Sequence, residues 1–148
     1  MPLPFSYSGR VEIAGQHDVE GATLRLERGL ELLKPKRLDR TGSQIRFKSG
    51  AARLVSNTNL LVPIGSGELS VQPNSGGLAV AYRLHFTQIL LIATVMVLGF
   101  FGPFLLNAPN LTRGEAGVFL FGMWLWLFGG NVVITLIRFP RWIKRTLT

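Results

Sequence analysis

The side chains that most often carry out chemistry are few in this chain and lie far apart. There is no cysteine, so thiolate chemistry, disulfides and cysteine-based metal sites are excluded. The two histidines, His17 and His85, have no partner placed beside them by the sequence, and we interpret them as structural residues. We therefore predict no catalytic residue, no cofactor and no metal, in a protein that is not an enzyme.

The carboxylates and glycines support the same interpretation. Glu27 and Glu31 share a helical arc with Arg28 and Lys34, a pattern typical of a solvated face with weak ion pairs. No glycine-rich stretch has the spacing of a nucleotide-binding loop. Neither residue class indicates a catalytic or phosphate-binding site.

Basic residues are in excess, and the formal net charge is +8. No nucleic-acid recognition motif accompanies them, so we predict anionic lipid headgroups as the partner rather than nucleic acid. The side chains predicted to contact these headgroups lie in the last eleven residues: Arg138, Arg141, Lys144 and Arg145.

Small and polar residues interrupt the second of two long apolar stretches. Such residues let helix backbones approach closely or form hydrogen bonds across helices. We predict a helix-packing or oligomer seam made of Gly122, Gly129, Gly130, Asn131 and Thr135. Packing against the first apolar stretch, which carries Gly99 and Gly102, is favoured over self-association, and both alternatives remain open.

The two apolar stretches are Phe86–Leu106, with 21 residues, and Ala116–Ile137, with 22 residues. A helix needs roughly 20 residues to cross the hydrocarbon core of a bilayer. Neither stretch has a charged residue in its interior. Both are therefore predicted to be transmembrane helices.

Lysine and arginine near the helix ends predict the topology. The connection 107–115 contains only Arg113, whereas four basic residues follow Ile137 and Arg83 precedes the first span. Because basic residues are enriched on the cytoplasmic side, both termini are predicted to be cytoplasmic. We predict a multi-pass protein of the bacterial inner (plasma) membrane.

The residues before Arg83 have the periodicities of a water-facing domain. Alternation from Phe5 to Ile13 predicts a half-buried strand, and three- to four-residue spacing from Gln16 to Lys34 predicts an amphipathic helix that Pro35 ends. The apolar positions of this helix are Val19, Ala22, Leu26, Leu30 and Leu33.

A meander of strands is predicted after Pro35. Strands 36–40 and 44–48 flank a Thr41-Gly42 turn, and 53–56 and 60–64 are weaker candidates because Pro63 interrupts the latter. A closing hairpin is predicted to pair 68–71 with 78–86 around the turn 73–77.

These elements predict an α+β protein, in which an N-terminal antiparallel sheet with one packed amphipathic helix is followed by a two-helix transmembrane hairpin. The predicted parts are a cytoplasmic domain (1–85), the first transmembrane helix (86–106), a short non-cytoplasmic turn (107–115), the second transmembrane helix (116–137) and a basic cytoplasmic tail (138–148).

The predicted function is that of a two-span membrane protein with a membrane-apposed interaction or accessory domain. One alternative is a small oligomeric transport or channel subunit, in which several copies build a shared interior. The other is a lipid-binding module with a pocket on the concave side of the sheet. Partners would be the anionic bilayer surface and either further copies of the chain or another membrane-complex subunit.

Overall fold

A computed structural model describes residues 5–15, 18–50 and 59–148 of the chain. A five-stranded antiparallel sheet with one helix packed on it is followed by two long apolar helices, which confirms the predicted α+β fold with a helical hairpin. The strands are β1 (Ser6–Ala14), β2 (Arg37–Thr41), β3 (Gln44–Lys48), β4 (Ser66–Asn74) and β5 (Gly77–His85). The helices are α1 (Val19–Leu32), α2 (Thr87–Val95), α3 (Gly102–Leu106), α4 (Arg113–Leu125) and α5 (Asn131–Leu147).

The strand order is β1-β5-β4-β3-β2, and every neighbouring pair is antiparallel. β1 pairs with β5 along its whole length, from Ser6 opposite His85 to Ala14 opposite Gly77. The alternation predicted for β5 is confirmed, because one face of this strand, which lies between β1 and β4, is buried throughout: Leu78, Val80, Tyr82 and Leu84, with Phe86 just after it.

Helix α1 lies on the inner face of the sheet, with its predicted apolar stripe inward. Ala22, Leu26 and Leu30 are fully buried. The helix is shorter than predicted, because Asp18 caps its first turn by accepting a hydrogen bond from the amide of Gly21. At its other end, Lys34 adopts a left-handed backbone conformation before Pro35.

The prediction of a weak strand at 60–64 is wrong, because these residues form a turn. The side chain of Asn59 holds it by accepting a hydrogen bond from the amide of Leu61 and donating one to the carbonyl of Leu33. Leu60, Leu61 and Ile64 insert into the core from this turn. The other weak candidate, 53–56, lies outside the described residues.

The closing hairpin is tighter than predicted, because β4 extends through Pro73 to Asn74. Proline lacks an amide hydrogen and is usually confined to strand edges. Here β3 pairs only with Ser66–Ser70 of β4, so no strand of the described chain pairs with that side of β4 at Pro73. The proline therefore interrupts no strand pairing.

The last helix completes the core of the sheet domain. Phe139, Ile143 and Leu147 of α5 are fully buried in the same cluster as Leu26 and Leu30 of α1. The core thus draws on side chains far beyond residue 85, and residues 138–147, predicted as a basic tail, are part of a helix that packs on the sheet.

Two glycines make room for this docking. A Cβ atom at Gly9 would collide with the ring of Tyr82, and one at Gly67 would collide with the ring of Phe47. The two rings lie over these bare backbone positions and receive Phe139, whose ring centroid is 5.3 Å from that of Tyr82 and 6.4 Å from that of Phe47. Burial, with a smaller effect of nearby Tyr7, raises the pKa of Tyr82 above its ordinary value, so the phenol stays neutral.

The hairpin consists of two continuous helical stretches, Thr87–Leu106 and Arg113–Leu147, called here the first and second long helices. Each contains a π-helical segment, at Met96–Phe101 and Trp126–Gly130. Thr112 and Glu115 form a reciprocal capping box at the start of the second. The first follows β5 after a single residue, so no flexible linker separates sheet and hairpin.

Candidate functional site

Both long helices expose apolar side chains over most of their length. Only 22% of the most apolar window of the first helix, and 11% of that of the second, is buried within the chain. A core helix of a water-soluble protein would be mostly buried. Both helices are long and apolar enough to cross a membrane, and large exposed side chains along them include Val95, Phe100, Phe104, Val118, Phe121 and Trp126.

The two long helices are joined by a hydrogen bond that the sequence did not indicate. The indole Nε1 of Trp124 donates to Oγ1 of Thr94 at 3.0 Å, and that hydroxyl donates to the carbonyl of Leu90. The ring of Phe128 lies tilted against that of Trp124, at 5.3 Å between centroids, and meets Phe5 edge-on at 5.5 Å. Aromatic contacts therefore lead from the hairpin to the sheet domain.

Replacing Thr94 with valine is expected to lower the free energy of unfolding of the purified protein by about 1 kcal/mol, the net value of one such hydrogen bond. Thr94→Ser keeps the hydroxyl and serves as the matched control. Equal denaturant midpoints for the two variants would show that this bond contributes nothing.

The glycines of the predicted seam do not pack against the first long helix. Among the described residues, a Cβ atom at Gly122 or Gly130 would meet nothing within 4 Å, and one at Gly129 would meet only Leu125 of its own helix. The favoured packing within the hairpin is thus not what these glycines provide. They lie on the outside of the second long helix, where no described residue of the chain fills the space beside Gly122 and Gly130.

The polar members of the seam bond within their own helix. The amide nitrogen of Asn131 donates to the carbonyl of Leu127, inside the π-helical segment, and Oγ1 of Thr135 donates to the carbonyl of Asn131 at 2.7 Å. Thr135 is buried, whereas Asn131 is half-buried. These side chains satisfy local backbone groups instead of crossing to another helix.

The four basic residues predicted to contact lipid lie on the outer face of α5, opposite the apolar residues that enter the core. All four are exposed, and none of them forms an ion pair within the described residues. They are Arg138, Arg141, Lys144 and Arg145.

A groove of about 230 Å³ separates the turn at 59–63 from α5. Asn131, Thr135 and Arg138 line its helix side. The structure therefore places in one groove residues that were predicted to have separate roles. Asn131 and Thr135 belong to the predicted seam, and Arg138 is the first of the residues predicted to contact lipid. A second, apolar groove of about 510 Å³ adjoins the first and runs over Gly129 and Gly130. Asn131 and Ile134 line both grooves.

The opposite face of the sheet carries a shallow polar groove of about 250 Å³. Its charged side chains are engaged, since Arg46 and Glu68 form an ion pair at 3.1 Å and Arg83 donates to the hydroxyl of Ser8. Over residues 5–15, 18–50 and 59–148, no group of three His, Asp or Glu side chains is placed to hold a metal ion. His85 is half-buried on the sheet, and His17 lies outside these ranges.

Sequence reasoning missed the residues that tie the hairpin to the sheet. Phe139, Ile143 and Leu147 recur at four-residue steps, a helical signal that the neighbouring basic residues obscured. Trp124 and Thr94 carried no comparable signal, because their pairing depends on how two helices pack.

Comparison with known proteins identifies no relative from which a role could be inferred. No protein-family model matches the chain, and no curated protein or solved structure matches it significantly.

Proposed function

We propose that the chain is a two-span integral membrane protein, whose first and second long helices cross the bilayer as a hairpin. Their lengths and their exposed apolar surfaces support this proposal. Hydrocarbon would cover the side chains that the chain itself leaves bare, and the helices would satisfy their backbone groups internally.

We place both termini and the sheet domain in the cytoplasm, at the bacterial inner membrane. One feature supports a common side of the membrane for the two termini, and a second supports the cytoplasm as that side. Phe86 precedes the first long helix and Phe139 lies late in the second, yet both are buried in the core of the sheet domain. Arg113 is the only basic residue of the 107–115 connection, whereas four follow Ile137, which favours a cytoplasmic domain.

The domain would act as a membrane-apposed interaction or accessory module and not as an enzyme. One observation carries this proposal: the second long helix continues from its apolar stretch into the domain core, where Phe139, Ile143 and Leu147 are buried. Because the domain and the hairpin share this helix, the domain is held at the bilayer surface. A module fixed in this way presents the outer face of its sheet to partners at a defined height.

The two alternative functions are supported unequally. A lipid carrier needs a pocket between helix and sheet, but side chains of α5 fill the inner face of the sheet. A channel needs further copies, because two helices without an intramembrane charge enclose no pore. The open surface at Gly122 and Gly130 leaves room for another copy.

Single cysteines test the topology in this cysteine-free chain. Ser6→Cys, Asn110→Cys and Thr148→Cys all replace exposed residues. With a membrane-impermeant reagent and intact cells, only position 110 should be labelled, because the other two face the cytoplasm. Permeabilised cells should label at all three positions, and labelling at 6 or 148 in intact cells would reverse the proposed orientation.

A further inference from the structure

The groove between the 59–63 turn and α5 has the chemistry of a headgroup site. Arg138 lines it, is exposed and forms no ion pair within the described residues. A guanidinium presents several N–H donors in a plane that matches a phosphate. Arg138 also directly follows the apolar stretch that ends at Ile137, so in a bilayer it would lie at headgroup level.

The neighbouring apolar groove has the chemistry of an acyl-chain site. Trp126, Gly130, Ile134 and Arg138 follow one another at four-residue steps, so they lie along one face of the second long helix. The absence of a side chain at Gly130 makes this face concave, and nothing in the described chain fills the space. The polar and apolar grooves meet at residues lining both, Asn131 and Ile134.

The combined length matches one leaflet of a bilayer. Leu125 and Arg138, at the two ends, are thirteen residues apart. That separation is about 20 Å at the rise of an α-helix. One leaflet with its headgroups is also about 20 Å thick, half of the full bilayer.

We propose that this continuous groove binds one anionic phospholipid from the surrounding bilayer. Its phosphate pairs with Arg138, and one acyl chain lies over Gly129 and Gly130. This proposal rests on the proposed insertion of the hairpin in a membrane. It adds a specific ligand, an anionic phospholipid, and a specific binding site, the groove along the second long helix. Arg141, Lys144 and Arg145 lie outside the groove and attract anionic lipids only through the general surface potential.

Charge favours a lipid over a second copy of the chain as the occupant. The only acidic residue of the second long helix is Glu115, at the end remote from Arg138. A second copy packed along this face would therefore bring no carboxylate of this helix near Arg138 in a parallel arrangement. A phospholipid supplies both the negative charge and the apolar chain.

The test uses full-length protein in nanodiscs of equal amounts of phosphatidylcholine and phosphatidylglycerol, followed by native mass spectrometry. We expect one retained phosphatidylglycerol per chain. Arg138→Gln should weaken retention about tenfold, because hydrogen bonds between charged groups are worth at least that factor. Arg141→Gln, which removes an equal charge outside the groove, should retain lipid like the unmodified protein.

A second pair of variants tests the apolar half. Gly130→Leu fills the groove and should also reduce retention, whereas Gly122→Leu adds the same side chain one turn beyond the groove, at a residue that does not line it, and should not. Equal losses in Arg138→Gln and Arg141→Gln, or equal retention of phosphatidylcholine, would overturn the site. A dimer that Gly130→Leu dissociates without changing lipid retention would show that a second copy is the occupant instead.

The two proposals fail in different ways. A chain that enters the nanodisc but retains no phosphatidylglycerol would refute the groove alone. A chain that does not associate with the nanodisc would overturn both the lipid site and the membrane function on which it rests.

Discussion

Deleting residues 138–148 is expected to unfold the sheet domain, although none of the deleted residues belongs to the sheet. The deletion removes Phe139, Ile143 and Leu147, which are fully buried against the inner face of the sheet. Burying one such side chain contributes roughly 1.5–3 kcal/mol, so the three together contribute about 5–9 kcal/mol. Whole domains are stable by only about 5–15 kcal/mol, and the remaining core should not hold the sheet.

Hydrogen exchange of β4 and β5 in the purified protein would measure this loss directly. A triple substitution of Arg141, Lys144 and Arg145 by glutamine is the matched control, because it changes the exposed face of the same helix and leaves its apolar side chains in place. Protection of the two strands should vanish in the truncated chain and persist in the control. Unchanged protection after truncation would show that the sheet domain folds without residues 138–148.

Leu30→Asp should have a comparable effect from the other side of the core. Leu30 is fully buried in α1, and an unpaired carboxylate placed there costs several kcal/mol. The domain should then become sensitive to protease, while the hairpin still enters the membrane. Limited proteolysis of membrane fractions would separate these two effects.

Leu32→Asp provides a control only two residues away. Leu32 is 82% exposed, so the same charge at this position should leave the domain resistant to protease. If both variants were cleaved alike, the inward face of α1 would have been assigned incorrectly.

The local elements could be predicted where a short stretch of sequence determines its own structure. β3 was predicted with its observed bounds, because Ile45 and Phe47 alternate with charged residues and a glycine turn precedes them. The inward stripe of α1 was also predicted, since its spacing reports one buried face. The turn at 60–64 was not, because a hydrogen bond to the carbonyl of Leu33, far away in the sequence, fixes Asn59.

The docking of α5 could not be predicted from local pattern, because its partners, which include Tyr82, Phe47 and helix α1, lie far away in the sequence. An amphipathic basic segment after a membrane span is compatible with a headgroup-facing tail as well as with a packed helix. What distinguishes the two is the receiving surface. That surface depends on Gly9 and Gly67, whose role is apparent only when Tyr82 and Phe47 are seen to lie across them.

Only some residues of the candidate groove could be predicted from the sequence. Arg138 and Asn131 could be singled out by residue type, but their common groove needs the 59–63 turn opposite them. From the glycines of the second long helix we predicted close packing of this helix against another helix. They instead leave open space, because the first long helix meets the second at Thr94 and Trp124, on another side.

The central claim is that one helix runs from the membrane into the core of the sheet domain, and a disulfide trapped in native membranes tests it most directly. A Cβ atom at Gly29 of α1 would lie 3.1 Å from the methyl carbon of Thr146 in α5, a proximity suited to a disulfide. In membranes washed with carbonate, Gly29→Cys combined with Thr146→Cys should form an intramolecular crosslink on mild oxidation. Gly29→Cys combined with Lys144→Cys, which places the second thiol on the exposed face of α5, should not. Equal crosslinking of both pairs, no crosslink at 146, or release of the protein by the carbonate wash would contradict this account.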